Sequence, residues 1–236
     1  MIWGILGAMQ EEIEYIKKQM EDVRETTIAG SVFYSGRYRD KSVVLVCCGI
    51  GKVNAAICTQ TLIREMKVGC IINTGVAGNL SGQLKVLDMV IANAVAYHDV
   101  TPGVLKENFP YCEEFVTDTE LTFLALQASE ALMSEERPFR CVCGKVATGD
   151  QFISDAAVKE DIAQRFPYPY SAVDMESASI GHTAYINHIP FLVIRSLSDD
   201  ANDEAEMSFD TFVQIAADNS AKLVLKMLEL GNPEAK

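Results

Sequence analysis

Three carboxylate sites and one guanidinium stand apart in this chain, because their surroundings require an explanation. Glu12 falls within the amphipathic stretch GILGAMQEEIEYI. At about 100° per residue, Met9, Ile13, Ile16 and Met20 form a narrow stripe that must face a core, while Glu11 and Glu14 point away from it. Glu12 lies on the flank of that stripe, about 60° from its centre, and suits either a boundary residue whose stem covers apolar surface or a carboxylate held at a site. Asp174 and Glu176, in AVDMES, sit where a strand runs into a helix. The free N–H groups and dipole of a helix start stabilise a carboxylate, so capping accounts for one of the two; such junctions also line sites. Arg195 ends the apolar run FLVIR, and Asp199 follows it closely in SLSDD. A guanidinium in a buried strand is costly unless it is paired or held at a site. Carboxylates placed in this way carry general acid and base chemistry, one giving a proton and another activating water.

Other chemistries lack their residues. GIGKVN at Gly49–Asn54 breaks the dinucleotide pattern GxGxxG at its last position, and its Gly-Lys pair lacks the spaced glycine of a P-loop. The acidic run from Asp199 to Glu206 offers no register with alternating oxygen ligands and a glycine at the sixth place, as a calcium loop needs. His98, His182 and His188 have no metal spacing, there is no GxSxG elbow, and the C-x-C pair Cys141 and Cys143 suits neither a redox C-x-x-C nor a zinc site. No metal ion or organic cofactor is expected.

The elements that must position these groups alternate. Strands are expected at Ile2–Leu6, Val32–Tyr38, Val43–Cys48, Met89–Ala96, Arg140–Ala147, Ser171–Val173 and Phe191–Ser196, with a short buried run at Cys70–Asn73 closed by Gly75 and Gly78. Helices are expected at about Met9–Met20, Val53–Met66, Asp118–Met133, Asp155–Arg165, Glu176–Asn187 and Phe209–Leu230, and the stretch from His98 to Glu114 reads as a long irregular loop of functional character. Near-continuous apolar strands imply burial on both faces, hence helices on both sides of a mostly parallel sheet, with ligands beyond the carboxyl ends of its strands. With no linker, repeat or low-complexity block, residues 1–236 read as a single domain.

Composition narrows the partners. Against 20 Lys and Arg stand 33 Asp and Glu, a formal charge of −13, which leaves no broad basic face for nucleic acid or an anionic membrane. A hydrophobic share of 49% excludes intrinsic disorder, no apolar run is long enough to span a bilayer, and the apolar start lacks the basic flank of a signal peptide. Seven cysteines, mostly in apolar runs, point to reduced core thiols and a cytoplasmic setting.

Taken together and in order, GILGAMQEEIEYI, CGIGKVNAA, INTGVAGNL, TGDQFI, VDMESAS and RSLSDDA resemble the 5′-methylthioadenosine/S-adenosylhomocysteine nucleosidases of the nucleoside phosphorylase/hydrolase superfamily. The resemblance covers nearly the whole chain. It implies a three-layer α/β/α sandwich around a mixed, mostly parallel sheet, a homodimer, and hydrolysis of an N-glycosidic bond to adenine in methionine salvage. By resemblance, Asp199 protonates adenine at N7, Glu12 acts as base on the attacking water, and Glu176 holds the ribose hydroxyls. Arg195 helps position the water and orient Glu12, Ser198 supports Asp199, Phe152 stacks near adenine, and the backbone of Ile153 reads its edge. Met175 lies beneath the ribose, Phe209 covers the 5′ substituent, and Ile50 and Val76 complete the substrate site.

The chain departs from the family pattern in three places. Val76 stands where many members have Ser, Asp174 replaces the usual Glu, and YHDVTPGVLKENFPYCEEF is shorter than the family's loop and lacks its GYxxGQ-like string. That loop normally helps close the 5′ pocket, so hydrolysis of aminodeoxyfutalosine or 5′-deoxyadenosine is the main alternative. A purine nucleoside phosphorylase is disfavoured because an acidic Glu12 beside the attacking position repels phosphate. A silent nucleoside sensor is disfavoured because Glu12, Glu176 and Asp199 are all present.

Overall fold

Apolar runs and amphipathic stretches become strands and helices in the expected order in the computed structural model, which describes residues 1–133, 139–202 and 204–231. Strand β1 (Ile2–Gly7) leads into helix α1 (Gln10–Gln19), then β2 (Glu21–Ile28), β3 (Ser31–Tyr38), β4 (Lys41–Cys47), α2 (Lys52–Arg64) and β5 (Cys70–Asn79). There follow β6 (Met89–Tyr97), the short α3 (Val104–Glu107), β7 (Glu114–Val116), α4 (Thr119–Met133) and β8 (Cys141–Thr148). Helix α5 (Ala156–Arg165), β9 (Ala172–Asp174), α6 (Ser177–Ile186), β10 (Phe191–Asp199) and α7 (Ala205–Leu230) complete the order.

All ten strands join one sheet, in the order β10-β6-β8-β9-β5-β1-β4-β3-β2 with β7 on β6. An added pairing of β10 with β5 closes five of these strands into a ring. Strands β1, β4, β5 and β10 pair in parallel with one another, as do β6, β8 and β9. Antiparallel pairs come from the β2-β3-β4 meander, β7 on β6, β9 on β5 and β10 on β6. The sheet is thus mixed, with parallel and antiparallel pairings equal in number among the described residues.

Strand alternation makes the three layers. Ile5, Val43, Leu45, Ile72 and Leu192 pack with α1, α4 and α7, whereas Leu6, Val44, Val46, Ile71 and Val193 pack with α2 and α6. The stripe expected on α1 is the one it buries: Ile13 and Ile16 lose all exposure, each contributing about 1.5–3 kcal/mol on the usual scale for aliphatic side chains.

The stretch from His98 to Glu114, expected to be irregular, carries the one-turn α3 and runs into β7, which pairs with β6; four further elements differ from the sequence expectation, each for a physical reason. Strand β2 was not anticipated because its residues are exposed, so its edge position imposes no apolar alternation. Strand β5 continues through Gly75 and Gly78 to Asn79, all ten residues buried, because neighbours on both sides hold it. Strand β10 likewise runs on to Asp199 beside β5. Helix α7 begins at Ala205, which places Phe209 inside its second turn rather than at its start.

Candidate active site

The carboxyl ends of β1, β5, β9 and β10 meet at one cleft, and the unusual charges all converge there. Glu12 is the third residue of α1 and only 1% exposed. Its side chain folds back over the helix start, so that Oε2 accepts from the Ala8 and Met9 N–H groups at 2.5 and 3.0 Å. Oε1 accepts from the Val76 N–H at 2.9 Å, which ties α1 to β5. Burial pushes the Glu12 carboxyl above its ordinary range, against the opposing pull of Arg195 and these three donors.

Arg195 lies fully buried beneath the cleft. Its Nη2 reaches Asn73 Oδ1 at 2.8 Å and Asp174 Oδ2 at 2.7 Å, with Glu176 Oε2 at 3.5 Å. Nη1 has no hydrogen-bond partner and points to within 3.8 Å of Glu12 Oε1. Gly75 makes this approach possible, since a Cβ there would overlap both the Glu12 carboxyl and Nη1. Asp174 is clamped in turn: Thr148 Oγ1 donates to it at 2.6 Å, and the Ser177 hydroxyl donates to its other oxygen. A buried charge cluster of this kind persists because nearly every member is paired.

Glu176 precedes α6 and accepts from the Gly51 N–H at 2.9 Å through Oε1. Burial raises its carboxyl as well, with Arg195 pulling the other way and Asp174 and Glu12 adding to the rise. Asp199, 2% exposed, accepts from Ser198 Oγ and from the Ala201 N–H, both at 2.8 Å. A register shift between Leu197 and Asp199 against β5 re-aims the end of β10. Burial also lifts the Asp199 carboxyl above its ordinary value, which favours the protonated form of a carboxylic acid.

Ten of the eleven residues given a role at the site by resemblance line this cleft, namely Glu12, Ile50, Val76, Phe152, Ile153, Met175, Glu176, Ser198, Asp199 and Phe209, as does Asp174. Arg195 is the exception, lying under the floor rather than in the wall. About 580 Å³ of space, the open mouth included, lies between these walls. Phe152 and Phe209 meet edge to face across it, ring centroids 5.7 Å apart. Sequence reasoning missed Asn73, Thr148 and Ser177, which hold Arg195 and Asp174; the signal for the first was a polar residue inside the apolar run IINTG. The substitution at Val76 costs less than its side chain suggests, because the contact to Glu12 comes from the backbone. Among the described residues no group of three or more His, Cys, Asp or Glu could hold a metal ion, and no lysine or arginine lines the cleft.

The family model for the phosphorylase superfamily matches residues 3–229. A 5′-methylthioadenosine/S-adenosylhomocysteine nucleosidase from Oceanobacillus iheyensis is 41% identical over 97% of this chain and 99% of its own. The chain belongs to this nucleosidase family of the phosphorylase superfamily. The nucleosidase of Neisseria meningitidis, solved in complex with methylthio-immucillin-A, superposes with a TM-score of 0.91 at 35% identity, covering 98% of this chain and 99% of that one. A futalosine hydrolase of Helicobacter pylori superposes with a TM-score of 0.89 at 33% identity, covering 98% of each chain. One scaffold is thus common to solved structures named for different substrates.

Proposed function

We propose that residues 1–236 form a single nucleosidase domain that hydrolyses the N-glycosidic bond of 5′-methylthioadenosine and S-adenosylhomocysteine, releasing adenine and the 5-thioribose product. The observation that carries this reading is the buried pairing of Glu12 with the unpartnered Nη1 of Arg195 in a cleft that also contains Asp199. Water held between the Glu12 carboxylate and Nη1 adds to the anomeric carbon as the C–N bond breaks, and its proton passes to Glu12. Asp199 gives a proton to N7 of the departing adenine, Ser198 holds Asp199, and Glu176 accepts from the ribose hydroxyls. Glu12 is held at the Val76 N–H, and Asp199 lies beside Gly78, two residues further along β5, so both carboxyls face the cleft from the end of the same strand.

On this reading Phe152 stacks on the base, the Ile153 backbone reads its edge, Met175 lies beneath the ribose, Val76 stands close to the water position, Phe209 covers the 5′ substituent, and Ile50 completes the substrate site. Arg195 acts from below, orienting Glu12 and the water. Phosphate is disfavoured as nucleophile because Glu12 faces the attacking position and the Arg195 guanidinium beneath it is already shared among Glu12, Asp174 and Glu176. Sensing without turnover is disfavoured by the intact acid and base.

The proposed substrates place the protein in methionine salvage, and a homodimer in the cytoplasm is proposed on the following support. Val53 (70% exposed) and Ile57 on α2 continue the apolar surface of Ile50 beside the cleft, a patch suited to a second copy of this chain. None of the seven cysteines is in a disulfide, and among the described residues no helix is long and apolar enough to cross a membrane. Light scattering then gives about twice 25.9 kDa; a monomeric mass with full activity removes the dimer.

The test is adenine release from methylthioadenosine, S-adenosylhomocysteine, 5′-deoxyadenosine and aminodeoxyfutalosine, each with and without phosphate. Phosphate-independent turnover fastest on the first two is expected. A clear preference for either of the others moves the substrate assignment to the altered 98–114 loop, and strict phosphate dependence overturns hydrolysis.

A further inference from the structure

Outside the cleft, one charged cluster touches both of its walls without lining it. Lys52 opens α2, and its N–H donates to Asp150 Oδ1 at 2.8 Å. Its ammonium lies 2.5 Å from Asp99 Oδ2 and 3.6 Å from Asp150 Oδ2. The Asp150 N–H closes the triangle by donating to the same Asp99 oxygen at 3.0 Å. Three segments far apart in sequence are therefore tied at one point: the end of β6, the start of α2 and the turn after β8.

The neighbours of these residues are the ones that meet the substrate. Gly51, just before Lys52, donates its N–H to Glu176, and Ile50 before it lines the cleft. Gln151, Phe152 and Ile153, just after Asp150, line the same cleft. Little slack exists on either side. A Cβ on Gly51 would stand 3.2 Å from Asp150 Oδ1, and a Cβ on Gly149 would overlap the buried ring of His98. We infer that Lys52, Asp99 and Asp150 form a clasp that couples the ribose-binding side of the cleft, through Gly51 and Glu176, to the base-binding turn at Phe152 and Ile153. They are positioning residues, acting through neighbours that touch substrate.

The clasp rests on the proposed assignment of those walls, and it makes a distinct demand. The walls hold substrate and transition state alike, so loosening them raises KM more than it lowers kcat. Asp150→Ala removes the acceptor for the Lys52 N–H and half of the charge partnership, whereas Asp150→Asn keeps the acceptor.

The experiment is steady-state kinetics on methylthioadenosine, with adenine affinity measured by calorimetry and Tm recorded alongside. Asp150→Ala is expected to raise KM and the adenine Kd about tenfold with kcat within about threefold, and Asp150→Asn to recover most of that loss. Tm falls by no more than about 3 °C, since partly exposed ion pairs add little stability. Unchanged KM and adenine affinity in Asp150→Ala, or a fall in kcat alone, overturns the clasp. If Asp150→Ala fails to fold, Lys52→Met replaces it with the same expected rise and the same contrary result. If the wild type turns over none of the nucleosides, the proposed activity fails separately, and adenine affinity alone decides the clasp: weaker binding in the variant supports it and equal binding overturns it.

Discussion

At the floor of the cleft the charged groups are buried and held by several partners each, whereas at the mouth Phe152 is 45% exposed and meets Phe209 only edge to face. Glu12 accepts three backbone N–H groups, and Arg195 is shared among Asn73, Asp174, Glu176 and Ser177. Such a floor cannot shift one member without leaving another buried and unpaired, so it suits chemistry that tolerates little displacement. The mouth is hydrophobic contact on a helix and a turn, and it suits selection, which changes with side-chain shape. Substitutions at the floor should therefore act on kcat, and substitutions at the mouth on KM.

The largest effect is expected at Asp199. Asp199→Asn keeps both hydrogen bonds, since the amide oxygen still accepts from Ala201 and its NH₂ turns to the Ser198 hydroxyl, but it has no proton to give. Adenine formation should fall by about 10²–10⁴-fold, and near-normal turnover refutes the general acid. The same variant reads the raised carboxyl through stability. A carboxyl whose folded value lies above its unfolded one contributes stability that is complete at low pH and lost as pH rises through the folded value. Asn has no such loss, so Tm should exceed that of the wild type at alkaline pH, with the gap closing on acidification. A gap that widens on acidification contradicts the direction of the shift.

A smaller effect is expected at Asn73, which touches Arg195 and no cleft surface. Asn73→Ala leaves the guanidinium and the Ser177 hydroxyl each one partner short, so kcat should drop about 10–100-fold and Tm by about 5 °C, with KM little changed. Loss of Tm with normal kcat would make the floor merely structural. At the mouth, Phe152→Ala should raise KM about tenfold while kcat stays within about threefold, and the reverse split would erase the distinction between the two regions. Val76→Ser should change kcat/KM less than about threefold, because Glu12 is held by the backbone at that position.

The same division marks what could be read from the residues alone. Glu12, Glu176, Arg195 and Asp199 were legible because a charge beside an apolar stripe or strand is costly and so conspicuous. Phe152, Ile153, Met175 and Phe209 were legible only by resemblance, since an aromatic or aliphatic side chain looks the same in a core and in a cleft. The partners of the floor were missed because Asn73, Thr148 and Ser177 meet through pairings of strands distant in sequence, where local periodicity says nothing. The alternating elements emerged from apolar patterns, but β2 did not, since an exposed edge strand has no buried face to enforce a pattern. The far half of β5 was hidden by glycines that read as turn residues and serve instead as close-approach points for Glu12, Arg195 and Asp199.

The proposed role of Glu12, activating water from the floor of the cleft, is tested most directly by its amide. Single-turnover formation of adenine from methylthioadenosine, in phosphate-free buffer, compares the wild type with Glu12→Gln, with adenine affinity measured on both. The chemical step is expected to slow by about 10³-fold or more while adenine affinity stays within about threefold. An unchanged single-turnover rate in Glu12→Gln would contradict that role.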